Sequence, residues 1–586
     1  MRHLVPASAL FQRLVLLALL IAGFFLLLPG NSGLSIYSGK DEYFLSMRVV
    51  LSMHELDLWW IPMLDGEPRL RKPPGLYWSA RAVYELCGTS MFCLRLPAMF
   101  WALGWLASVC ALAAWLFPRQ ALTAQVVAGI GLMLSVGWLI EGRRLMLDLP
   151  VSACASVALW SSLRGIAPHL EAIKMTASHE RQQSGWRPVI SAVFWWALAG
   201  CFLAYGFLIK GPVVWLIWGS GVLAMSFHPK LFGGFTRGFI DASRLRFWGS
   251  ALISFFLGIA LASRWFVDAA AQSQALGDVL DQEVQARLLG EFSLAPLWGF
   301  WLISAPWGLS LLWTALRMRP TEDGYAGTIR SLSLWIVLSL LPFFMMKTFE
   351  RYLIGSLVPL ALMAAAVFVH GRLRENFFRT KAWLRLLSAM PMFLLCGLIA
   401  LFLIWFDIEP ILGALNLALL CLFLVFWWKS YDSIRLVTAM AFWLLNVLMF
   451  VSMTYPALKV NHAPDWIVKY ARKESVVFWN GPHPALLAAY TGRAHQHIAS
   501  DRDGAVDQLG EGQWFLLLKS DRESLEASVK RRGWRLAEVG HWQALVNHGS
   551  ALRFWPPEID WRQAVASRDH SILKSELLAL RLEKER

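Results

Sequence analysis

The apolar positions of this chain cluster into long runs rather than narrow stripes, and about thirteen runs are long enough to cross a bilayer's hydrocarbon core as helices. They lie near residues 14–30, 91–116, 121–140, 149–164, 188–208, 212–227, 247–267, 296–316, 331–346, 352–370, 385–405, 411–428 and 435–456. Between the first two runs the pattern changes. Phe44, Met47, Val50 and Leu51 recur at helical spacing while Arg48, Ser52 and Glu55 take the opposite face, which predicts an amphipathic helix lying on the bilayer with Asp41 at its N-terminus. Pro73-Pro74 halts any helix, and Leu76 to Leu86 can form a second interfacial one. After Tyr455 the runs shorten. Val476–Trp479 and Trp514–Leu518 read as buried strands, Pro484 to Thr491 and Arg522 to Arg532 as helices, with turn signals at Gly481-Pro482 and Asp501-Arg502-Asp503-Gly504. The pattern therefore predicts a polytopic α-helical membrane protein, with a bundle over 1–456 that includes an outer loop 31–90, and a small α/β domain over 457–586.

Composition agrees with a membrane protein, since 57% of the residues are hydrophobic and no soluble core needs so much apolar surface. The formal net charge of +14 could suggest nucleic acid, but the placement of the cations excludes that reading. Arg164, Lys174, Arg181 and Arg187 share one inter-helix loop; Lys230, Arg237, Arg244 and Arg246 share another; Arg317, Arg319 and Arg330 a third; Arg372, Arg374, Arg379, Lys381 and Arg385 a fourth. Counted from Arg2 and Arg13, all four loops fall on one side, which the positive-inside rule makes cytoplasmic. An odd number of spans then places the loop 31–90 and the C-terminal domain outside.

The first run has a basic flank, yet no convincing small-residue cleavage site follows Pro29-Gly30, so it reads as a retained anchor. The seven cysteines lie in or near apolar spans without metal-ligand spacing. Cys87 and Cys93 stand at the outer boundary, where their spacing weighs against a disulfide without deciding the matter.

Charged residues recur at the outer ends of the spans. Asp41, Glu42 and Lys72 lie in the first outer loop; Glu141, Arg143, Arg144 and Asp148 in the next; Lys210 ends the fifth span; Gln282, Glu283 and Arg287 follow the seventh; Lys347, Glu350, Arg351 and Tyr352 lie between the ninth and tenth. Any one of these can be an interfacial anchor, and Asp41 a mere helix cap. Their convergence on one face points to chemistry. Arg and Lys at headgroup level suit the phosphate of a lipid carrier, and a carboxylate beside them can take a proton from a hydroxyl acceptor or orient an anionic one. A transporter or flippase, the alternative from another class, would place its charges near the bilayer midplane and need an inner polar gate as well.

Asp41-Glu42 after the first span, Arg-Lys-Pro-Pro-Gly-Leu-Tyr-Trp at 71–78, Arg95-Leu-Pro97, Arg144 with Asp148, Lys210-Gly-Pro212 and Glu350-Arg-Tyr352 together resemble the motifs of the GT-C glycosyltransferases. The nearest branch is the bacterial aminoarabinose (lipid A) transferase and protein O-mannosyltransferase-like family. The resemblance spans essentially the whole chain. It implies an inner-membrane enzyme that moves a sugar, with inversion, from an undecaprenyl-phosphate carrier to lipid A or another envelope glycan on the periplasmic side. A protein O-glycosyltransferase, differing only in acceptor, is the alternative. By the same resemblance Asp41 is the essential loop carboxylate and Asp148 a second acid, while Lys72, Arg287 and Tyr352 contact the donor phosphate. Lys347 and Arg351 join them by proximity in sequence, and Glu42, Arg144 and Lys210 are further cavity candidates.

One position departs from the lipid A-modifying branch. That branch typically has Glu before this lysine, helping a later His hold zinc; here the residue is Arg71, and 281–287 contains no His. A cation cannot replace a carboxylate ligand, so no metal is expected at that place. No cofactor is firmly implied, and a divalent-metal requirement, the sugar, the acceptor and the oligomeric state stay open.

Overall fold

The computed structural model describes residues 9–32, 42–65, 67–88, 90–177, 186–232, 241–272, 277, 292–317, 325–346, 348–481, 484, 487–500, 509–546 and 561–584. Asp41, Arg287 and Lys347 lie outside the described residues. All thirteen predicted apolar runs contain helix, but they are not equivalent. Among the described residues ten helices are individually long and apolar enough to cross a membrane. An eleventh passage, Ala295–Ile303 with Gly308–Leu316, is bent by 107° at its break. The run near 121–140 divides into Ala121–Met133 and Val136–Glu141, because Ser135 leaves the helix and caps a new one by accepting the Trp138 N–H at 3.4 Å. Val213–Ser226 is a shorter apolar helix.

The basic loops do more than mark a side. Arg385 is fully buried and donates to the Phe378 carbonyl at 2.6 Å and to the Ser430 hydroxyl at 3.1 Å, and Arg244 donates to the Ser226 carbonyl at 2.9 Å. Each guanidinium supplies donors to carbonyls that a helix end leaves without an intrahelical partner.

The first loop differs from its expectation. Glu42 opens a π-helical turn, Tyr43–Met47, that continues as the α-helix Arg48–Glu55. Val49, Val50, Leu51 and Met53 are fully buried, and two of the three expected polar-face residues are buried too, Arg48 paired to Asp65 and the Ser52 hydroxyl donating to the Met63 carbonyl at 2.8 Å, while Glu55 is exposed. Arg48 and Ser52 point at partners within the loop, so their share of the polar periodicity marks internal pairing. The second loop helix forms as expected, over Gly75–Cys87. Cys87 and Cys93 are joined by a disulfide, against the weight of their spacing: Gly88, at φ 100°, turns the chain sharply enough to bring the two Cα atoms to 5.6 Å.

Beyond the bundle, five strands form a mixed sheet in the order 496–498, 476–479, 514–518, 575–584, 534–544. The strand Val476–Trp479 runs parallel to both its neighbours, while Ser575–Lys584 pairs antiparallel with the strands on either side. Alternate side chains serve opposite faces. Val476, Phe478 and Leu516 pack with Ile467 of one helix, and Val477, Phe515 and Leu517 pack with Leu525 of another. Both expected strands are present, together with helices at Leu487–Thr491 and Arg522–Lys530. This domain is seated on the bundle: Ala488, Ala489, Leu545, Ala564 and Leu573 join the bundle's own core, and the Trp405 indole donates to the Val565 carbonyl at 3.1 Å.

Candidate active site

Two buried charge clusters lie among the residues that the sequence singles out. In the first, Glu42 is wholly inside the protein and accepts two near-parallel bonds from Arg95, Nε to Oε1 at 3.0 Å and Nη2 to Oε2 at 2.9 Å. The Leu145 N–H adds a third at 2.9 Å, and Arg95 Nη1 donates to the Asn31 carbonyl at 3.1 Å. This one carboxylate therefore ties the first loop to the second span and to the loop before Asp148. Arg95 is the residue whose weight the sequence understates; the signal was an arginine inside an otherwise apolar run, where an unpaired charge would be prohibitive.

The second cluster is built from three helix ends. Asp148 begins the helix Asp148–Ala177, Lys210 ends the helix Trp186–Lys210, and Arg351 and Tyr352 lie in the 3₁₀ turn Glu350–Ser356. A carboxylate at a helix N-terminus and a lysine at a C-terminus each suit the local dipole, which favours both placements before any pairing. The Asp148 carboxylate pairs closely with Lys210 through Oδ1, and Oδ2 lies 3.6 Å from Arg351 Nε. Lys210 also sits 3.7 Å over the ring of Tyr352, and the Arg351 guanidinium 5.5 Å from the same ring. Asp148, Lys210 and Arg351 are all buried, at 3, 8 and 3% exposure, so their interactions act in a low-dielectric setting.

Beside this cluster lies a small recess of about 30 Å³. Glu141, Arg144, Glu350 and Arg351 form its charged side, and Ile140, Leu302, Ile303 and Leu395 are among its apolar lining. Arg144 donates to Glu141 Oε1 at 2.8 Å. The charged side of the recess carries as many carboxylates as guanidinium groups.

The 71–78 segment docks onto the end of the helix that carries Lys210. Gly75 lies so close to Leu208 that an added Cβ would come within 2.9 Å of its backbone, and the Tyr205 hydroxyl donates to the Gly75 carbonyl at 2.8 Å. Only glycine permits that approach, and it places Lys72, buried at 9% exposure, three residues before the docking point. Arg71 is exposed. A guanidinium cannot stand in for a carboxylate ligand, and residues 281–287 lie outside the described residues. Among the described residues no group of three or more His, Cys, Asp or Glu could hold a metal.

Of the predicted site residues, then, the fold brings together Asp148, Lys210, Arg351 and Tyr352, sets Arg144 at the adjoining recess, and places Glu42 in a separate structural pair. Comparison of the whole fold adds the decisive observation. The chain superposes on the crystal structure of ArnT from Cupriavidus metallidurans bound to undecaprenyl phosphate, with a TM-score of 0.65 at 13% identity, over 98% of each chain. The chain has the ArnT fold. Apo ArnT from the same organism matches over the same extent with a TM-score of 0.63. The apo oligosaccharyltransferase of Archaeoglobus fulgidus gives 0.43 at 11% identity, over 89% of this chain and 72% of the other. No protein-family model matches the sequence, and no curated protein matches it in sequence. The expected GT-C architecture, with its small C-terminal α/β domain, is thus present as a fold, and ArnT resembles this chain through the C-terminal sheet as well as the bundle.

Proposed function

We propose that the chain is an inner-membrane glycosyltransferase that takes a sugar from a polyprenyl-phosphate carrier and passes it to an acceptor on the periplasmic side. The observation that carries this reading is the buried Asp148–Lys210–Arg351–Tyr352 cluster, two cations around one carboxylate, beside a small recess that is apolar along one wall and charged along the other. The lipid bound to ArnT supports the carrier class, because that ligand combines a prenyl chain with a phosphate.

In the proposed reaction the acceptor oxygen attacks the anomeric carbon, the new C–O bond forms, and the bond to the carrier phosphate breaks with inversion. The phosphate leaves with the electron pair. Lys210, Arg351, Lys72 and the Tyr352 hydroxyl meet the charge that grows on it, with Arg287 and Lys347 assigned to the same task. Asp41 takes the proton of a hydroxyl acceptor or orients an anionic one. Asp148 holds Lys210 and Arg351 in place before the donor arrives, so little reorganisation remains for the reaction itself. Glu42 holds the loop on which Asp41 sits. The acceptor is lipid A or another envelope glycan.

Mass spectrometry of envelope lipids, glycans and proteins from cells with and without the gene tests this reading. A single sugar-sized mass difference on one acceptor class is expected. Identical envelopes under conditions where the protein is present would refute it.

A further inference from the structure

We propose that Glu141 reads the transferred sugar, its second carboxylate oxygen accepting a hydrogen bond from one of the sugar's hydroxyl groups. This rests on the carrier-linked sugar of the reading above, and it names a residue that tells one sugar from another.

Glu141 is buried and only half used. Its Oε1 accepts from Arg144 Nη1 at 2.8 Å, while Oε2, equally cut off from bulk water, has no hydrogen-bond partner in the protein. A carboxylate offers about four acceptor sites, and leaving a buried oxygen unmatched is expensive. Glu42 shows the contrast, with three donors on its two oxygens. The helix does not account for Glu141 either. It closes Val136–Glu141, and a carboxylate at a helix C-terminus runs against the local dipole.

The recess that Glu141 lines has the character that a sugar hydroxyl needs. Two carboxylates, Glu141 and Glu350, face two guanidinium groups, Arg144 and Arg351. Matched acceptors and donors suit a hydroxyl, which both gives and takes a hydrogen bond, whereas a phosphate favours cations alone. The size agrees. A void of roughly 10–15 Å³ holds one water, so a recess of about 30 Å³ admits a hydroxyl or two and keeps the sugar ring at its mouth. The position agrees as well. Arg351 lines the recess and lies 3.6 Å from Asp148, so a single side chain separates the recess from the cluster assigned to the phosphate. In the donor one oxygen joins ring to phosphate, and a phosphate held by Lys210 and Arg351 brings the ring to this wall. A sugar without the matching hydroxyl would leave Oε2 unpaired in an enclosed site, which is how a buried polar group rejects a wrong substrate.

The test measures displacement of labelled undecaprenyl phosphate from purified full-length protein. The competitors are the bare carrier and undecaprenyl phosphate bearing glucose, galactose, mannose, xylose or aminoarabinose. Wild type should hold one of these sugars about 10- to 100-fold more tightly than the bare carrier. Glu141→Gln can still accept from Arg144 but turns an N–H toward the recess, so it should return that sugar to the bare carrier's affinity and leave the bare carrier unchanged. In wild type, removing one particular hydroxyl of the preferred sugar should cost about tenfold, a result that needs no variant to fold. Equal affinity for every sugar and the bare carrier overturns the proposal, as do deoxy sugars that all bind alike. A folded Glu141→Gln protein that keeps the full sugar preference also overturns it, leaving Oε2 to an ordered water alone. If that variant weakens the bare carrier as much as the sugar, Glu141 serves the phosphate and the proposal is again wrong. Should the bare carrier not bind wild type at all, the carrier reading itself fails, and this inference falls with it.

Discussion

Glu42 and Asp148 are both buried carboxylates paired with cations, and the contrast between them separates holding the fold together from doing chemistry. Glu42 is closed. Arg95 reaches both of its oxygens at 3.0 and 2.9 Å, and the Leu145 N–H accompanies them, an arrangement that leaves an incoming ligand little to gain. Asp148 is divided. Its oxygens serve two cations from two different helix ends, and the 3.6 Å approach of Arg351 is long for a charge-assisted bond. A phosphate oxygen arriving in the adjoining recess could take part of that interaction without first dismantling a bidentate pair. Buried charge is costly in both places; on the proposed reading the cost fixes a loop in one and preorganises a site in the other.

Neutralising the structural carboxylate Glu42 and neutralising its proposed catalytic neighbour Asp41 should leave different signatures. Glu42→Gln leaves Arg95 buried without a countercharge and should destabilise the protein by about 3–5 kcal/mol, seen as loss of folded material or a lowered midpoint in a detergent melt. A variant as stable as wild type would show that the pair is not structural. Asp41→Asn keeps a capping oxygen and removes the charge, so stability should hold while transfer falls about 10²–10⁴-fold. Normal transfer would return Asp41 to the role of a helix cap, itself worth only about 1 kcal/mol. Gly75→Ala should have the smallest effect, about 1–3 kcal/mol of overpacking against Leu208, felt at Lys72 as weaker lipid binding more than as unfolding. A neutral outcome there would mean that the 71–78 segment is free to shift from the helix that carries Lys210.

The membrane class, the loop helices' existence and the two central strands were legible because each rests on a local pattern of apolar residues. The placement of the first loop helix was not. Arg48 and Ser52 present a polar stripe, and only the fold reveals that Asp65 and the Met63 carbonyl, more than ten residues on, face that stripe in place of water. Asp148, Lys210, Arg351 and Tyr352 could be nominated as interfacial polar residues; the family resemblance gave roles to Asp148 and Tyr352, Arg351 joined by proximity in sequence, and Lys210 stood as a further cavity candidate. Their mutual contact spans 62 residues between Asp148 and Lys210, a distance that no local signal encodes. The hydrogen bond between Tyr43 of the first loop and His497 of the C-terminal domain, across 454 residues, was invisible for the same reason. The disulfide between Cys87 and Cys93 depended on one backbone angle at Gly88.

The central claim is that the second cluster receives a lipid-linked phosphate, and affinity for undecaprenyl phosphate tests it most directly. The purified protein should be compared with a variant carrying Asp148→Asn, Lys210→Met and Arg351→Met together, which removes the cluster's charges without stranding one of them in the interior. Two lost charge-assisted contacts should weaken binding about a hundredfold in a variant that melts like wild type. Equal affinity in that folded variant would contradict the account.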